Sequence, residues 1–274
     1  MATGGRASTA AGARRHSPVV PVRVEPHRCT ALEKRRLLGT TPFFSALDDD
    51  RLDEVAAGFD QRNFTAGQTI HHAGDPAERL SIVVAGQVKI ARPTPDGQDV
   101  LLALLGPHEH FGSLLELGDA VYRDDAVAHT DCCVLSTDAE SFHALLERFP
   151  SVANAALALV AARLREAQTT IEQLSTYPVP RRVAATLLAL ADRLGATRQR
   201  VEGNESGDAA DRGPTGEVLI DATLSRQDLA DMTGATVETV SRVLSDFRRR
   251  GWIDSGRQWV SVRDRASLET IARG

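Results

Sequence analysis

Apolar and polar residues alternate over short stretches in the first half of the chain, a pattern typical of antiparallel strands. Residues 80–90 predict two strands joined by a turn at Ala85–Gly86, and residues 95–97 form a Pro-Asp-Gly turn. The apolar run 100–105 predicts another strand, and residues 126–135 predict one more. Strands at roughly ten-residue spacing indicate an antiparallel β-roll, or jelly roll.

The apolar period then lengthens, which indicates helices. Residues 138–149 predict a short helix, and a long helix with Ser151 as its N-cap follows to Thr176. Apolar residues recur along the long helix in alternating steps of four and three, at Ala153, Leu157, Val160, Leu164, Ala167, Ile171 and Leu174. This heptad spacing favours a two-stranded coiled coil over a helix packed on its own domain. The candidate dimer seam is Leu157, Val160, Leu164, Ile171 and Leu174.

A further helix is predicted at 181–194 and a polar loop at 196–217, and two short helices about a turn follow. Ser225 and Asp228 have the spacing of a capping box at the start of the first of these helices. The second helix follows a turn at 233–235. Two helices about a glycine-containing turn predict a helix-turn-helix, whose second helix enters the DNA major groove.

The second helix of this motif, capped by Thr236 and ending near Arg250, has two faces. The apolar face, predicted to be buried, consists of Val240, Val243, Leu244 and Phe247, and the polar face consists of Glu238, Ser241, Arg242 and Ser245. The arginine on the polar face can donate two hydrogen bonds to guanine, its glutamate can accept one from cytosine, and its serines can do either. Residues 248–250 suit phosphate contacts, and residues 252–262 predict a two-stranded wing.

Composition excludes several classes of protein. The chain has 274 residues, is 42% hydrophobic and 25% charged, and predicts more than one domain. Its longest apolar run, 155–162, is too short to span a membrane, and the chain begins without a signal-like stretch, so we expect a cytoplasmic protein. The three cysteines have no CxxC spacing, which argues against a metal site. The sequence shows no motif of an enzyme.

Charge is distributed unevenly along the chain. Residues 1–37 carry a net charge of +6, residues 38–150 carry −12 and residues 225–274 carry +2. The middle of the chain would repel a polyphosphate, so we expect nucleic acid to bind at an end.

Four stretches identify a resemblance: HHAGD (71–75), VAGQVKI (84–90), HFGSLLELGDAVYRDD (110–125) and SRQDLADMTGATVETVSRVL (225–244). From about residue 40 onward the sequence resembles the Crp/Fnr family of bacterial transcription regulators. The resemblance implies an α+β chain with an N-terminal antiparallel β-roll, a long dimerisation helix and a C-terminal winged helix-turn-helix. The expected boundaries are a disordered basic tail (1–36), a cyclic-nucleotide-binding-like sensor domain (37–149), a dimerisation helix (150–177) and a DNA-binding domain (178–274).

The string Val237–Arg242 is similar to the Fnr type of recognition helix, which implies that Glu238, Ser241 and Arg242 read a TTGA-like half-site. The family also implies a homodimer on a palindromic site in double-stranded DNA, with RNA polymerase as a further partner. The candidate DNA-binding residues are Val237, Glu238, Ser241, Arg242, Ser225, Arg226, Arg249 and Arg257.

The family's sensor pocket implies candidate effector residues: Gly112, Ser113, Leu114, Arg123, Asp124, Ala167 and Gln168. Ser113 stands where the cAMP-binding branch has a glutamate, and Arg123 is kept. Asp124 replaces a serine and would repel a phosphate. Ala167 and Gln168 replace a hydroxyl pair that touches adenine. We therefore do not expect cAMP to bind well, although a cAMP-responsive regulator remains the alternative.

Two other sensing chemistries are open. The oxygen-sensing branch holds an iron–sulfur cluster on N-terminal cysteines, and Cys29 alone cannot provide one. Cys132 and Cys133 should point to opposite faces of a strand, where packing is favoured over redox sensing. His71 and His72 could ligate haem, but local polarity explains them equally well. The effector is left unassigned, as is the choice between activation and repression.

Overall fold

The structure, a computed structural model, describes residues 29–94, 99–112, 121–197 and 217–274. Most of the expected basic tail and most of the polar loop predicted at 196–217 lie outside these ranges. So do the turn predicted at 95–97 and the candidate pocket residues Ser113 and Leu114.

The first half of the chain forms the expected β-roll. Its strands are β1 (Asp60–Phe64), β2 (Thr69–His71), β3 (Arg79–Ala85), β4 (Val88–Pro93), β5 (Asp99–Leu105), β6 (His110–Gly112), β7 (Asp125–Ala128) and β8 (Cys132–Asp138). They form two antiparallel sheets of four strands, in the orders β1-β8-β3-β6 and β2-β7-β4-β5. Apolar side chains such as Phe64, Val83 and Val88 fill the space between the sheets.

The single strand predicted at 126–135 is wrong, because this stretch is two strands in different sheets. The chain leaves β7 at Ala128 and enters β8 at Cys132. Between them the backbone N–H groups of His129 and Thr130 donate to the carbonyl of Gln87. Both strands are largely buried, so the apolar pattern continues across the crossing and hides it.

Two helices precede the roll, and the first begins earlier than expected. Helix α1 (Ala31–Gly39) is capped by Thr30 and Glu33, which form a capping box, so residues 31–36 of the expected tail are helical. Helix α2 (Asp49–Ala57) follows. Both helices pack on a cluster of aromatic rings in which Phe43 meets Phe142 edge-on at 5.5 Å.

Helices α3 (Ala139–Arg148) and α4 (Pro150–Thr176) follow the roll. The predicted cap is wrong: Phe149 is the N-cap of α4 and Pro150 is its first residue, which places Ser151 inside the first turn. Proline favours this position because its missing N–H would have no partner within the helix. Within the described ranges no single helix is long and apolar enough to cross a membrane, and only α3 and α4 together reach that length, bent by 115°.

The C-terminal part contains α5 (Val179–Leu194), β9 (Gly195–Thr197), β10 (Val218–Ile220), α6 (Arg226–Thr233), α7 (Val237–Arg249), β11 (Ile253–Gly256), β12 (Trp259–Val262) and α8 (Arg265–Arg273). The predicted two-stranded wing is β11 and β12, extended by β10 and β9 into a sheet of four strands. Trp252, placed in the wing by the sequence, lies before β11 and packs on Phe247 at 5.4 Å. Helix α5 lies at the centre of this core through Val183 and Leu187.

The roll and the C-terminal part share an interface. Leu104 of β5 is 1% exposed and belongs to the apolar core built around α5 and α6. Polar contacts surround it: Lys89 Nζ lies 3.0 Å from Asp228 Oδ1, and the Gln87 side chain donates to the carbonyl of Asp221. One further hydrogen bond joins His129 and Thr223 at 2.9 Å.

At the turn between β3 and β4 two segments of the roll backbone approach each other closely, and a substitution can test this contact. Gly86 has a φ of 78°, and a Cβ there would collide with the carbonyl oxygen of Asp131. Gly67 has a similar φ of 83°, but a Cβ there would meet no described atom within 4 Å. We expect Gly67→Ala to cost about 1–2 kcal/mol of unfolding free energy through backbone strain. Gly86→Ala should cost about 1–3 kcal/mol more, because the collision adds to the same strain. Urea unfolding of both variants measures the difference, and equal losses would contradict the close approach.

Candidate nucleic-acid interface and effector cavity

The helix-turn-helix is fixed by caps at both of its helices. Ser225 Oγ accepts from the Asp228 N–H, and the Asp228 carboxylate accepts from the Ser225 N–H, as predicted. Gly234 ends α6 with a φ of 56°, and a Cβ at this position would lie 2.7 Å from a methyl carbon of Leu174 on α4. The left-handed backbone therefore favours glycine here, and a Cβ would also displace the flexible side chain of Leu174.

Helix α7 has the two faces predicted from its sequence. Val240, Val243, Leu244 and Phe247 are buried in the core of the C-terminal part. Glu238 and Arg242 are exposed, whereas Ser241 and Val237 are half-buried. Its own backbone N–H and the Thr236 hydroxyl hold the pKa of Glu238 below its usual value, so this side chain is an anion able to accept hydrogen bonds.

Arginines surround this face but differ in their surroundings. The pKa of Arg226 is lowered by burial and, to a smaller extent, by the positive charge of Arg248. The two cations therefore lie close together. Arg226 also lies 3.4 Å from the Ser255 hydroxyl of the wing. Such a pair of like charges is suited to an anion such as phosphate.

Arg249, which the sequence predicts to contact a phosphate, forms a salt bridge within α7. Arg249 and Arg250 both pair with Asp246, and Arg250 also lies over the ring of Trp252 at 5.0 Å. Arg257 is exposed at the tip of the wing, between the paired residues Gly256 and Trp259. Ser225 is half-buried, with its hydroxyl held by the capping box.

The long helix α4 carries an exposed apolar row. Leu157 is 69% exposed, Leu164 60%, Ile171 64% and Leu174 44%. Val160, the remaining candidate seam residue, is half-buried. Large apolar side chains left in water along one helix face indicate a surface made for a partner.

A cavity of about 540 Å³ lies between the roll and α4. Its lining includes Gly112, Arg123 and Asp124 among the predicted pocket residues. On the described part of α4 the lining residues are Leu159, Ala162, Arg163 and Glu166. Ala167 and Gln168, predicted to line the pocket, are exposed on α4 directly after Glu166 and are not among the described residues that line the cavity in the single chain. Their role in the pocket stays a prediction.

Aromatic and imidazole rings form one wall of the cavity. His71 stacks on Tyr122, with the ring centroids 3.7 Å apart and the planes at 8°. Burial lowers the pKa of His71 to about 4, so the ring is neutral at pH 7. Arg163 donates to the carbonyl of His110 at 2.7 Å, and burial followed by the charge of Arg163 lowers the pKa of His110 to about 3.

Asp124 is engaged by a cation that the sequence analysis did not consider. Its carboxylate lies 2.7 Å from Arg92 Nε on β4. Asp125 accepts a hydrogen bond from the backbone N–H of Ala73 and lies 3.5 Å from the His72 ring. Both carboxylates that follow Arg123 are therefore engaged by neighbouring groups.

Arg193 closes the cavity from the other domain, a role that sequence analysis missed. This α5 side chain binds the Glu109 carboxylate at 2.7 Å and the carbonyl of Leu104 at 2.9 Å. Both Arg193 and Glu109 line the cavity. The two residues are 84 positions apart, and no local pattern in the sequence connects them.

The comparisons with known proteins agree with this geometry. Residues 61–149 match the family model of the cyclic nucleotide-binding domain, and residues 181–271 match that of the Crp-like helix-turn-helix domain. The chain is 29% identical over 237 residues to the CRP-like cAMP-activated global transcriptional regulator of Mycobacterium tuberculosis, over 86% of this chain and 99% of that protein. It is 34% identical over 234 residues to the Cyclic AMP receptor protein of Thermus thermophilus, over 85% and 98%.

Among solved structures, FixK2 from Bradyrhizobium japonicum aligns with a TM-score of 0.63 at 26% identity, over 78% of this chain and 96% of that one. A sensor-type β-roll joined by a long helix to a winged helix-turn-helix defines a DNA-binding transcription regulator, and not an enzyme. The chain belongs to the Crp/Fnr family.

Proposed function

We propose that the chain acts as a homodimer that binds a palindromic site with TTGA-like half-sites and regulates transcription through RNA polymerase. The observation that carries this proposal is the polar face of α7, held outward over a buried apolar face. We propose the cytoplasm as its location, because that is where bacterial DNA and RNA polymerase meet.

Dimerisation is supported by the exposed row on α4. Four large apolar side chains at heptad spacing lie on one surface, and a second copy of α4 would cover them all. A dimer also explains how one recognition helix per chain could read two half-sites about one helical turn apart.

Base reading is supported by the positions of Glu238 and Arg242. They lie one helical turn apart on the exposed face of α7, so both can reach the edges of neighbouring base pairs. Ser241 lies between them in sequence, and the same domain carries the neighbouring cations Arg226 and Arg248.

The effector is proposed to bind in the cavity between the roll and α4. Two relatives are named for cAMP, which favours a cAMP-responsive regulator. The residues of this chain favour a different ligand, since a serine stands at position 113 where the cAMP-binding branch has a glutamate, and the carboxylate of Asp124 lines the cavity where that branch has a serine. Redox or haem sensing through cysteine or histidine is a third possibility, and of its candidates only His71 lines the cavity within the described residues.

Leu164→Asp tests the dimer. It would place two carboxylates face to face in an apolar contact, at a cost on the order of several kcal/mol. We expect a monomer in analytical ultracentrifugation and weaker DNA binding. Leu32→Asp is the matched control, because Leu32 is 53% exposed but belongs to α1 and not to the heptad row of α4, so this variant should stay dimeric. A Leu164→Asp protein that remains a dimer would refute the seam.

Arg242→Ala tests base reading. Loss of a bidentate guanine contact should weaken binding by about 1–3 kcal/mol per half-site and relax the preference at that base. Arg249→Ala is the control: if Arg249 exchanges its salt bridge with Asp246 for a DNA phosphate, that contact carries no sequence information and its loss should weaken all sites alike. Selection of binding sites from a random library measures both effects. An unchanged motif for Arg242→Ala would show that another face of the domain meets the bases.

A titration with cAMP tests the effector. Unpaired polar groups on a bound ligand cost about 1–3 kcal/mol each, so several mismatches should weaken a micromolar ligand to millimolar. Isothermal titration calorimetry should therefore show no binding of cAMP or cGMP tighter than about 10 μM. Tighter binding would support the cAMP-responsive alternative. The double variant Ser113→Glu, Asp124→Ser should gain affinity for cAMP, whereas Asp124→Ser alone should gain less.

A further inference from the structure

The joint between the long helix α4 and helix α5 consists of two residues, Tyr177 and Pro178. Both have an extended backbone, and Pro178 has no N–H with which to continue the hydrogen bonds of α4. Pro180 removes a further N–H at the start of α5. The helical hydrogen bonds are therefore interrupted at this joint, and side chains must help to fix the C-terminal part relative to α4.

Arg182, near the start of α5, reaches back across the joint. Its Nη1 donates to the carbonyl oxygen of Leu174 at 3.1 Å and to that of Tyr177 at 3.3 Å. These carbonyls belong to the C-terminal end of α4, where the last C=O groups have no partner within the helix and carry partial negative charge. The guanidinium of Arg182 thus supplies both the donors and the positive charge that stabilise this helix end.

The same guanidinium also binds the helix-turn-helix. Its Nη2 donates at 3.3 Å to the carbonyl oxygen of Gly234, the left-handed residue that ends α6. Arg182 and Gly234 are 52 positions apart, so this contact joins distant segments of the chain. A guanidinium is planar and its donors form a rigid fork. Arg182 therefore holds the end of α4 and the turn between α6 and α7 in one fixed geometry.

Packing at this junction is close. A Cβ built on Gly234 would lie 2.7 Å from a methyl carbon of Leu174, so these two residues are in contact. Leu174 is also the last member of the exposed apolar row of α4. The Nε of Arg182 is buried and has no hydrogen-bond partner among the described residues, so protein encloses this part of the side chain. The junction thus combines an apolar contact with hydrogen bonds from a half-buried arginine.

The neighbouring arginine, Arg181, has different partners. Its Nε donates to the carbonyl of Ala272 at 2.9 Å and its Nη2 to that of Arg273 at 2.6 Å, at the end of α8. Its guanidinium lies over the ring of Tyr177, 3.5 Å from the centroid. In the described part of the chain, both hydrogen bonds of Arg181 go to α8 and not to the helix-turn-helix. Arg181 is therefore a matched control for Arg182.

We propose that Arg182 is a positioning residue for DNA recognition, which fixes the direction of α7 relative to α4 and so sets the spacing of the two half-sites. This inference rests on the proposed dimer and on base reading by α7. In that dimer the two copies of α4 lie together, so the geometry held at Gly234 in each chain decides where each α7 meets the DNA. One base pair added between the half-sites moves one of them by about 3.4 Å and turns it by about 35°. A rigid junction cannot follow this change, whereas a loosened one can.

The experiment compares the full chain with Arg182→Met and Arg181→Met. Methionine keeps an unbranched apolar side chain without the donors, and both variants lose one positive charge. Affinity is measured on duplexes that carry the half-sites selected by the wild type, at the selected spacing and at spacings one base pair shorter or longer. In Arg182→Met the preference for the selected spacing should fall by about tenfold, with base preference within each half-site unchanged. Arg181→Met should keep both preferences.

Hydrogen exchange followed by mass spectrometry tests the junction without DNA. Arg182→Met should exchange faster than wild type at the end of α4 and at 233–236, whereas Arg181→Met should exchange faster at 270–274 instead. Arg182→Lys serves if Arg182→Met does not fold. Lysine keeps the charge but has a single donor group in place of a fork, so this variant should also relax the spacing preference.

Two results would overturn the proposal. One is a folded Arg182→Met, or failing that Arg182→Lys, that keeps the wild-type spacing preference, even with weaker binding overall, since a merely structural role would weaken binding at all spacings alike. The other is exchange at 233–236 equal to that of wild type. A wild-type protein that selects no paired half-sites would instead refute the proposed function, and hydrogen exchange would then decide the coupling of Arg182 to the turn by itself.

Discussion

The burial of Leu104 of β5 in the core of the DNA-binding domain is the contact on which the arrangement of the whole chain depends. Among the described residues, Leu104 is the one residue of the roll that belongs to the apolar core of the C-terminal part, so it joins the two parts through a buried contact. Polar contacts surround Leu104, and in the main one Lys89 pairs with Asp228, which also belongs to the capping box of α6. Burial alone would raise the pKa of Asp228, but hydrogen bonds from Ser225 and Lys89 outweigh it and hold the pKa below its usual value. The start of the motif is thus stabilised from both domains.

Helix α4 combines two surfaces of different character. Its first half packs on the roll through Val152 and lines the cavity through Arg163, whereas its second half extends past the roll toward Gly234 of the helix-turn-helix. Leu174 reaches that glycine while still 44% exposed. A residue of the apolar row therefore approaches the turn between α6 and α7, so the proposed dimer surface adjoins the helix-turn-helix.

Patterns within one element were predictable from sequence, and contacts between distant elements were not. The capping box at Ser225 and the two faces of α7 depend on residues three and four positions apart, so local spacing was sufficient to find them. The crossing at residues 129–131 was missed because both strands are buried and the apolar pattern continues through it. The pairing of Arg249 with Asp246 was within reach, since the two residues are one helical turn apart. Family resemblance placed Arg123 and Asp124 at the cavity, whereas Arg163 and Glu166, which line it from α4, were not predicted.

The salt bridge between Arg193 and Glu109 has a thermodynamic consequence. One partner belongs to the DNA-binding domain and the other to the sensor, and both form the wall of one cavity. A molecule that binds in the cavity and pairs with Arg193 would break the salt bridge between the two domains and replace it with a contact between Arg193 and the ligand. Thermodynamic linkage makes this effect reciprocal. If the ligand changes the docking equilibrium of the two domains by some factor, docking changes the affinity for the ligand by the same factor. The ion pair therefore contributes to two equilibria at once: the binding of a ligand in the cavity and the docking of the DNA-binding domain on the sensor.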